Sequence, residues 1–388
     1  RIYNRALTPE EIRMHYLSEF QKYNSTEWRF YNNVTNLTDG TYTYYGWAND
    51  TAGNTGNTET RTLTVDAVSP YYISNCTTLN ESGATYYLTA DIIDSSTSHC
   101  MNISANNVTL DCQGHPIDGN FSLNGDSSSN KYAIYSNQQN TTIKNCIISN
   151  WQIGIYFDTC ADNGVIENNT IRDLYGSKGI DAPDASNNPG GASAGIYLKS
   201  SYNRIANNTI ENLTAGRGGN SLSGSYLAKS GGSGGIATGI YLDLSTNNTL
   251  TSNHISNLTG GAGGTGGEWG SGGSGGLSTG IYLKFSSNNN LTSNAISSLI
   301  GGSGGIGGTY SSYESSGGAG GIAAGIYLNS STSNTLTSNQ ISNLTMGIGG
   351  KGSSSGFEGS NGTSAGIWLD ESSYDNVITQ LTTQGSYK

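Results

Sequence analysis

The residues of this sequence that could do chemistry are its carboxylates. Hydrolysis of a glycosidic bond uses a pair of carboxylic acids, and a calcium ion takes several oxygen ligands. One stretch mixes carboxylates with basic residues: Asp158, Asp162, Glu167, Arg172, Asp173, Lys178, Asp181 and Asp184. It indicates a calcium site, a sugar site or a solvated turn surface, and charges that simply face water are the commonest of the three. Further along the chain the charged residues are isolated: Asp243, Lys284, Asp370 and Glu371.

Other signals for chemistry are scattered or missing. The four histidines, His15, His99, His115 and His254, follow no metal-ligand spacing. The glycine-rich stretches contain no G-x-x-x-x-G-K-[ST] motif, which excludes a phosphate-binding loop of that type. The sequence therefore predicts no catalytic residue, no metal site and no cofactor, with calcium as the one alternative left open, and it predicts that the chain is not an enzyme.

Composition limits the class of protein and its partners. Of the 388 residues, 34% are hydrophobic and 12% are charged, and the net charge is -11. This amount of apolar material suits a thin core wrapped by polar loops. There is no basic stripe that would neutralise phosphates, so nucleic acid is excluded as a partner. No apolar run reaches the length of a membrane span.

Asn-x-Ser/Thr sequons are frequent in this chain. A sequence rich in Asn, Ser and Thr also forms sequons by chance, but together with the cysteines they favour an extracellular or cell-surface protein. The candidate glycosylation sites are Asn33, Asn36, Asn49, Asn80, Asn107, Asn212, Asn257 and Asn343.

The cysteines lie in the first half of the chain, at positions 76, 100, 112, 146 and 160, and none has C-x-x-C spacing. A disulfide between Cys76 and Cys100 is the best single pairing. The odd count leaves one thiol free or bonded between chains. The alternative is that all five are small buried hydrophobic residues.

A repeat decides the architecture. A Gly-Ile-Tyr or Gly-Ile-Trp motif begins at Gly154, Gly195, Gly239, Gly280, Gly325 and Gly366, and a second motif such as "STNNTLTSNHISNLT" follows it. In "GIYLDL", Ile240, Leu242 and Leu244 alternate with outward Tyr241 and Asp243, as in a half-buried strand. Each repeat predicts three short strands, which make one turn, or rung, of a right-handed parallel β-helix. With weaker rungs from residue 86 onward, about eight rungs would give an axis of roughly 40 Å.

One asparagine recurs at the same turn of successive rungs, as Asn253, Asn294 and Asn339. Identical residues that stack in parallel sheets can hydrogen-bond along the axis. These residues therefore predict a structural asparagine ladder, in preference to a ligand site.

The segment "CTTLNESGATYYLTADI", followed by "CMNISANNVTLDCQGHPIDG" and the GIYL rungs, resembles NosD-like repeats. These are parallel β-helix repeats of archaeal and bacterial surface proteins, in a carbohydrate-binding and sugar-hydrolase group. The resemblance implies the fold for residues 69–388 and leaves the chemistry open, because this fold carries many functions.

The residues before the repeats resemble incomplete sandwich domains. "RIYNRALTPEEI" is similar to the final strand and short helix of laminin-G or concanavalin-like folds, which implies a helical tail over 1–22. Residues 36–66 resemble the last two strands of an immunoglobulin-like domain, which implies a partial immunoglobulin-like segment over 23–68. The chain is then an excerpt of a longer polypeptide, or these strands pack on another partner.

Glycine-rich insertions separate the later rungs, at about 176–194, 215–237, 260–278, 301–323 and 346–364. The insertion at 260–276 reads GGA GGT GGE WGS GGS GG, and this period of three is typical of an extended helix with three residues per turn. We expect stacked polyglycine-II-like segments beside the β-helix. Disordered loops are the alternative, because ordering glycine is entropically unfavourable.

An aromatic residue stands near the middle of several insertions. These residues would lie at loop tips, where they favour either contact with a subunit or glycan, or packing between adjacent loops. They are Tyr226, Trp269, Tyr310, Tyr313 and Phe357.

The ends of the solenoid lead to a functional prediction. Natural proteins cover unpaired strand edges, and the last rung offers no amphipathic helix for this purpose. If the N-terminal segment of one copy covers the end of the next, the chain self-associates into a filament. The sequence thus predicts a non-enzymatic, adhesive subunit of an extracellular filament or surface layer, plausibly archaeal. The alternative is a carbohydrate-binding protein, or a carbohydrate-active lyase or hydrolase.

Overall fold

The computed structural model divides the chain into two units, Arg1–Ser69 and Pro70–Lys388. It describes residues 6–9, 12, 18–22, 24, 28–32, 34, 37, 40–65, 70–122, 131–186, 188–222, 229–308, 314–354 and 356–383. Within those residues, no helix has the length and hydropathy needed to cross a bilayer.

The first unit consists of short antiparallel pairs. Its strands are β1 (Ser18–Lys22), β2 (Trp28–Asn32), β3 (Gly40–Tyr44), β4 (Trp47–Asn49), β5 (Thr55–Asn57) and β6 (Arg61–Val65). β1 pairs with β2, β3 with β6 and β4 with β5. The Ile12 N–H donates to the Thr8 carbonyl at 3.0 Å, which is one turn of the expected helix. The sequence analysis places a boundary between two segments after residue 22, and the β1–β2 pair has one strand on each side of it.

The second unit is built from three parallel sheets in the described part of the chain. Sheet I contains β8 (Thr77–Leu79), β11 (His99–Ile103), β14 (Tyr132–Ser136), β17 (Ile153–Phe157), β20 (Ser193–Leu198), β23 (Ala237–Asp243), β26 (Ser278–Lys284), β29 (Ala323–Asn329) and β32 (Ser364–Leu369). Sheet II contains β7 (Tyr71–Ile73), β9 (Thr85–Leu88), β12 (Thr109–Asp111), β15 (Thr142–Lys144), β18 (Val165–Glu167), β21 (Arg204–Ala206), β24 (Thr249–Thr251), β27 (Asn290–Thr292), β30 (Thr335–Thr337) and β33 (Val377–Thr379). Sheet III contains β10 (Ile92–Ser95), β13 (Pro116–Gly119), β16 (Ile147–Ser149), β19 (Thr170–Tyr175), β22 (Thr209–Thr214), β25 (His254–Thr259), β28 (Ala295–Ile300), β31 (Gln340–Thr345) and β34 (Thr382–Thr383).

The chain visits the three sheets in turn, and each strand pairs with the equivalent strand of the next rung. Ile196 pairs with Ile240, and Ile240 with Ile281, without any shift of register. The prediction of a right-handed parallel β-helix is confirmed. Among the described residues, sheet I has eight strands after residue 86, in agreement with the estimate of about eight rungs from there, but the sheets begin earlier, at Tyr71. The short strands β7 and β8 fall before the residues in which the repeat is recognisable.

Stacked aliphatic side chains fill the interior of the β-helix. Ile240 and Leu242 are fully buried, as the alternation predicts. Leu244 is 68% exposed, so its predicted inward position is wrong. Its φ of 56° turns the chain after β23, and the buried Ser245 takes the inward place, where its hydroxyl donates to the Leu198 carbonyl at 2.9 Å.

The glycine of the Gly-Ile-Tyr motif is required by the interior of the β-helix. A Cβ atom on Gly239 would lie 2.5 Å from Cγ2 of Ile255 and 2.6 Å from the Gly280 carbonyl oxygen. No side chain fits at these distances. The repeated glycine therefore follows from the close approach of sheets I and III.

Asparagine ladders stabilise two of the corners. The amide of Asn253 donates to Asn294 Oδ1 at 2.9 Å, and Asn294 donates to Asn339 Oδ1 at 2.9 Å. All three side chains are buried. A second ladder, at the corner between sheets I and II, runs through Asn203, Asn248, Asn289, Asn334 and Asn376.

The glycine-rich insertions are ordered throughout their described residues. Each runs outward and returns, as an outgoing arm and a returning arm. Gly260, Gly263 and Gly266 donate to the outgoing arm of the next rung, whereas Gly261, Gly264 and Gly267 donate to the returning arm of the rung before. The third residue of each triplet keeps a side chain, as at Ala262 and Thr265.

This bonding explains the period of three in the insertions, because both glycines of a Gly-Gly-x triplet face neighbouring backbones. A Cβ atom on Gly264 would lie 1.9 Å from the Gly219 carbonyl oxygen. The prediction of stacked polyglycine-II-like segments is confirmed, and the disordered alternative is wrong for the described residues. We call the stacked arms the glycine layer.

Candidate functional site

One line of aromatic side chains runs along the outer face of sheet I. These residues are in register on successive rungs, and we call them the tyrosine row: Tyr135, Tyr156, Tyr197, Tyr241, Tyr282, Tyr327 and Trp368. The ring centroids of Tyr197 and Tyr241 are 4.7 Å apart with an interplanar angle of 8°. This separation matches the distance of roughly 4.8 Å between neighbouring strands. The rings from Tyr197 to Tyr327 form a nearly parallel stack, whereas Trp368 meets Tyr327 edge to face at 70°.

A second line of polar side chains lies beside the tyrosine row. Its members stand two residues after each aromatic residue, so they share the outer face of sheet I. We call them the charge row: Asp158, Lys199, Asp243, Lys284, Asn329 and Asp370. Asp243 pairs with Lys284, and Lys284 with Asn329, across the sheet. Cation and anion therefore alternate along the first four rungs of the charge row.

Hydrogen bonds link the two rows. The Tyr135 hydroxyl donates to Asp158 Oδ2 at 3.2 Å, and the Tyr197 hydroxyl donates to Asp243 Oδ2 at 2.9 Å. Asn329 Nδ2 donates to the Tyr282 hydroxyl at 3.1 Å. Burial, followed by the bond to Asp243, raises the pKa of Tyr197 well above its ordinary value. The phenol therefore stays protonated and remains a donor at neutral pH.

Lys199 and Lys284 have no ion-pair partner within the described residues. Lys199 Nζ lies 5.9 Å from the centroid of Tyr156 and 5.8 Å from that of Tyr197, and Lys284 Nζ lies 5.6 Å from the centroid of Phe285. Most other described basic side chains form an ion pair, among them Lys144, Arg172, Lys178, Arg204, Arg217 and Lys229. In the described part of the chain, the charge row thus presents two ammonium groups that are not in ion-pair contact with a carboxylate.

The tyrosine row and the charge row together form what we call the strip. Tyr156 and Tyr282 are 7% and 6% exposed, and the other rings of the row are half-buried. The strip offers phenol hydroxyls, carboxylates, ammonium groups and an amide, repeated once per rung. Such groups can donate and accept hydrogen bonds to a long polar ligand laid along the axis. The sequence places Tyr241 and Asp243 on the outer face but gives no sign that they belong to a strip.

The charged stretch from Asp158 to Asp184 does not form one site. Asp158 belongs to the strip, Asp162 accepts the Ser201 N–H, and Glu167 pairs with Arg204. Asp173 pairs with Arg172, and Asp184 with Lys229. Successive residues are separated because the chain passes from sheet to sheet. The described residues of this stretch therefore do not converge on one site, and the calcium alternative stays a prediction.

Asp181 links the first insertion of the glycine layer to the second. It pairs with Lys178 at 2.7 Å and with Arg217 at 3.1 Å, and it accepts the Asn220 N–H. Burial opposes ionisation of Asp181, but the hydrogen bonds from Lys178 and Asn220 and the charge of Arg217 outweigh it and lower its pKa to about 2. No group of three metal-ligating side chains occurs among the described residues.

Two disulfides lie at the N-terminal end of the β-helix. Cys76 and Cys100 are bonded with an S–S distance of 2.04 Å, and Cys112 and Cys146 with one of 2.06 Å. Cys160 is free and exposed.

Those candidate glycosylation sites that the structure describes are exposed: Asn49, Asn80, Asn107, Asn212, Asn257 and Asn343. Asn212 and Asn257 stack on the outer face of sheet III, where Asn257 Nδ2 donates to Asn212 Oδ1 at 3.3 Å. Asn33 and Asn36 lie outside the described residues. Glycosylation of these sites stays a prediction.

The predicted contact aromatics lie apart from the strip, in the insertions. Trp269 is half-buried in a turn closed by a 2.9 Å bond from the Gly270 N–H to the Gly267 carbonyl. Phe357 is 71% exposed. Tyr226, Tyr310 and Tyr313 lie outside the described residues. A contact role for these residues stays a prediction.

A groove of about 460 Å³ separates the glycine layer from the ends of the sheet III strands. Its lining is mostly backbone and apolar side chains such as Ile300, Met346 and Ile348, with Arg217 as its one titratable residue. The groove therefore offers fewer polar partners to a ligand than the strip does.

Comparison with known proteins adds to the description of the fold. No protein-family model matches the sequence, and no curated protein matches it. The solved structure of DFA-IIIase from Arthrobacter chlorophenolicus A6 is similar at 10% identity, over 82% of this chain and 88% of that one, with a TM-score of 0.36. The catalytic unit of a GH87 alpha-1,3-glucanase from Streptomyces thermodiastaticus strain HF3-3 is similar at 15% identity, over 82% of this chain and 63% of that one, with a TM-score of 0.29.

These similar structures are carbohydrate-active enzymes. The prediction of a structural filament or surface-layer subunit is corrected, since these similar structures are a DFA-IIIase and a glucanase. At such low identity the likeness concerns the β-helix fold alone. The function of this chain has to be argued from its own strip.

Proposed function

We propose that the strip binds an extended glycan whose chain runs parallel to the axis of the β-helix. The observation that carries this proposal is the repetition of phenol hydroxyls and charged or amide groups once per rung. The repeat of roughly 4.8 Å is close to the length of one sugar in an extended chain. Each rung then meets the hydroxyls of one sugar, for which phenols, carboxylates and ammonium groups are suitable partners.

The chemistry of the strip favours a glycan over other long polar ligands. A nucleic acid requires a surface that neutralises its phosphates. The strip carries Asp158, Asp243 and Asp370 beside two lysines, and the whole chain has a net charge of -11. Sugar hydroxyls, in contrast, both donate and accept, so they bind carboxylates and ammonium groups equally well.

Cleavage of the bound glycan is the second candidate function. Asp158 and Asp243 flank Lys199 in the charge row and stand two rungs apart. Their backbones are separated by about 10 Å along the axis, slightly more than the ~6.5–9.5 Å between the carboxyl groups of inverting glycosidases. A cleaving enzyme would lose activity in both Asp158→Asn and Asp243→Asn, whereas a binding protein would release no product.

The two disulfides support an extracellular location, because disulfides persist in oxidising compartments. The resemblance to NosD-like carbohydrate-binding and sugar-hydrolase repeats agrees with a glycan ligand.

A glycan array probed with the purified chain tests the proposal. We expect binding to extended oligosaccharides, and weaker binding by a double variant, Lys199→Gln with Asp243→Asn. Lys351→Gln is the matched control, because Lys351 is exposed in the glycine layer away from the strip. Absence of binding to any glycan, or equal binding by the double variant and the wild type, would overturn the proposal.

A further inference from the structure

The order of residues in the charge row indicates which class of glycan the strip would bind. Lys199 and Lys284 stand two rungs apart, with Asp243 on the rung between them. The backbones of the two lysines are therefore about 10 Å apart along the axis, which corresponds to two sugars of an extended chain. A ligand with this periodicity carries its anionic groups on alternate sugars.

The lysines are available to such a ligand because Asp243 is bonded elsewhere. Asp243 and Lys284 are paired in register, but no ion pair joins them in the described part of the chain. The carboxylate of Asp243 instead accepts the Tyr197 hydroxyl of the rung before it. Lys199 lies over the rings of Tyr156 and Tyr197. Each ammonium group thus keeps donors free for an incoming anion.

Asp243 also determines which glycans would bind weakly to the strip. A sugar on this rung meets a carboxylate, which accepts hydrogen bonds from neutral hydroxyls. An anionic sugar at the same place would meet a like charge, which is unfavourable at an interface. The strip therefore binds a glycan with an acid on every sugar less tightly. A neutral glycan supplies no anionic group to either lysine.

We propose that the strip selects a glycan with one anionic group, carboxylate or sulfate, on every second sugar. This inference rests on the proposed function and specifies its ligand. Lys199 and Lys284 bind the anionic groups, and Asp243 binds the hydroxyls of the neutral sugar between them. The selected segment of the glycan spans the rungs from Lys199 to Asn329, whose amide contacts the second neutral sugar. It ends before Asp370, whose carboxylate is held by the Ser330 N–H and the Ser373 hydroxyl.

Titration calorimetry with three oligosaccharides of equal length tests this inference. The probes are an unsulfated chondroitin oligosaccharide, with a carboxylate on alternate sugars, an oligogalacturonate, with one on every sugar, and a neutral chitooligosaccharide. We expect the chondroitin oligosaccharide to bind up to about tenfold more tightly than the other two, since exposed ion pairs each contribute only a few-fold. A keratan sulfate oligosaccharide, with sulfate as its only anionic group, separates sulfate from carboxylate recognition.

Two variants give the inference a sharper test. Lys199→Gln with Lys284→Gln should remove the preference for the chondroitin oligosaccharide while keeping binding to the neutral one. Asp243→Asn should strengthen binding of the oligogalacturonate. Glu268→Gln, at the tip of the glycine layer, is the matched control and should change neither affinity.

The outcomes separate this inference from the proposed function. If no oligosaccharide binds, the proposed function fails. If all three bind equally, or if the oligogalacturonate binds best, the strip binds glycans but the inference is overturned. Binding of the anionic probes that persists unchanged in the double lysine variant also overturns it.

Discussion

Tyr197 donates a hydrogen bond of 2.9 Å to Asp243, which follows 46 residues later in the sequence and one rung further along the β-helix. This bond joins the tyrosine row to the charge row and turns the carboxylate of Asp243 away from its register partner Lys284. The polar groups of the strip are thus positioned by the rungs, not by neighbours in the sequence.

The tyrosine row should make the protein sensitive to alkali. Burial is the largest cause that raises the pKa of each of its six tyrosines above the ordinary value of 10.0. Between pH 10 and the raised pKa values, the unfolded chain releases protons that the folded chain keeps. Stability is therefore fully present below pH 10 and falls above it, by at most about 1.4 kcal/mol per pH unit for each such tyrosine.

Urea unfolding between pH 8 and 11.5 measures this loss. The double variant Tyr197→Phe with Tyr241→Phe should show a shallower decline than the wild type. An equal slope in the two proteins would show that these rings do not titrate as their burial requires.

Asp181 should contribute stability that is lost in acid. Its folded pKa of about 2 lies below the value of 3.8 in a model compound, so the contribution is present above pH 4 and disappears as the pH falls toward 2. Asp181→Asn should lower the free energy of unfolding at pH 7 by about 1 kcal/mol, since the ion pairs are partly exposed. The difference between variant and wild type should vanish near pH 2, and a difference independent of pH would contradict the assignment.

Adding a single methyl group inside the glycine layer should destabilise the protein. A Cβ atom on Gly264 would lie 1.9 Å from the Gly219 carbonyl oxygen, so the stacked arms would have to separate. We expect Gly264→Ala to destabilise the protein by about 1–3 kcal/mol, as overpacking does elsewhere. Thr265→Ala is the matched control from the side-chain position of the same triplet. Thermal melting distinguishes them, and equal melting temperatures would mean that the layer is not close-packed.

A substitution in the buried asparagine ladder should lower the free energy of unfolding more than the substitution of an exposed asparagine. Asn294→Ala removes the acceptor of the Asn253 amide and the donor to Asn339 Oδ1. Leaving buried polar groups unpaired costs about 1–3 kcal/mol each. Asn257→Ala, at an exposed position of sheet III, should change stability by less than about 0.5 kcal/mol. Similar effects of the two substitutions on urea unfolding would contradict the ladder's structural role.

The fold could be predicted from the sequence because its repeat is local and regular. Ile240 and Leu242 show the inward positions of a strand, and the recurrent asparagines show the turns. Leu244 could not be placed by alternation, because a left-handed residue at the strand end shifts the period by one. The period of three in the glycine stretches indicated an ordered layer, because each triplet makes two backbone contacts and keeps one side chain.

The strip was harder to predict, for a physical reason. Tyr197 and Asp243 become partners only when successive rungs are superposed, and the insertions between rungs separate them in the sequence. The stretch from Asp158 to Asp184 shows the opposite case. Its charges are close in sequence and suggested a cluster, but the chain distributes them over three sheets and the glycine layer. In a solenoid, proximity along the chain is a poor guide to a site, and register across rungs is a better one.

Hydroxyl-radical footprinting tests the central claim most directly, because it reports which aromatic side chains a bound glycan covers. The measurement compares the free chain with the chain saturated with the unsulfated chondroitin oligosaccharide. We predict protection of Tyr197, Tyr241 and Trp368, with no change at Trp269 or Phe357. Protection confined to Trp269 and Phe357, or unchanged labelling of the tyrosine row under saturating glycan, would contradict the claim that the strip is the binding site.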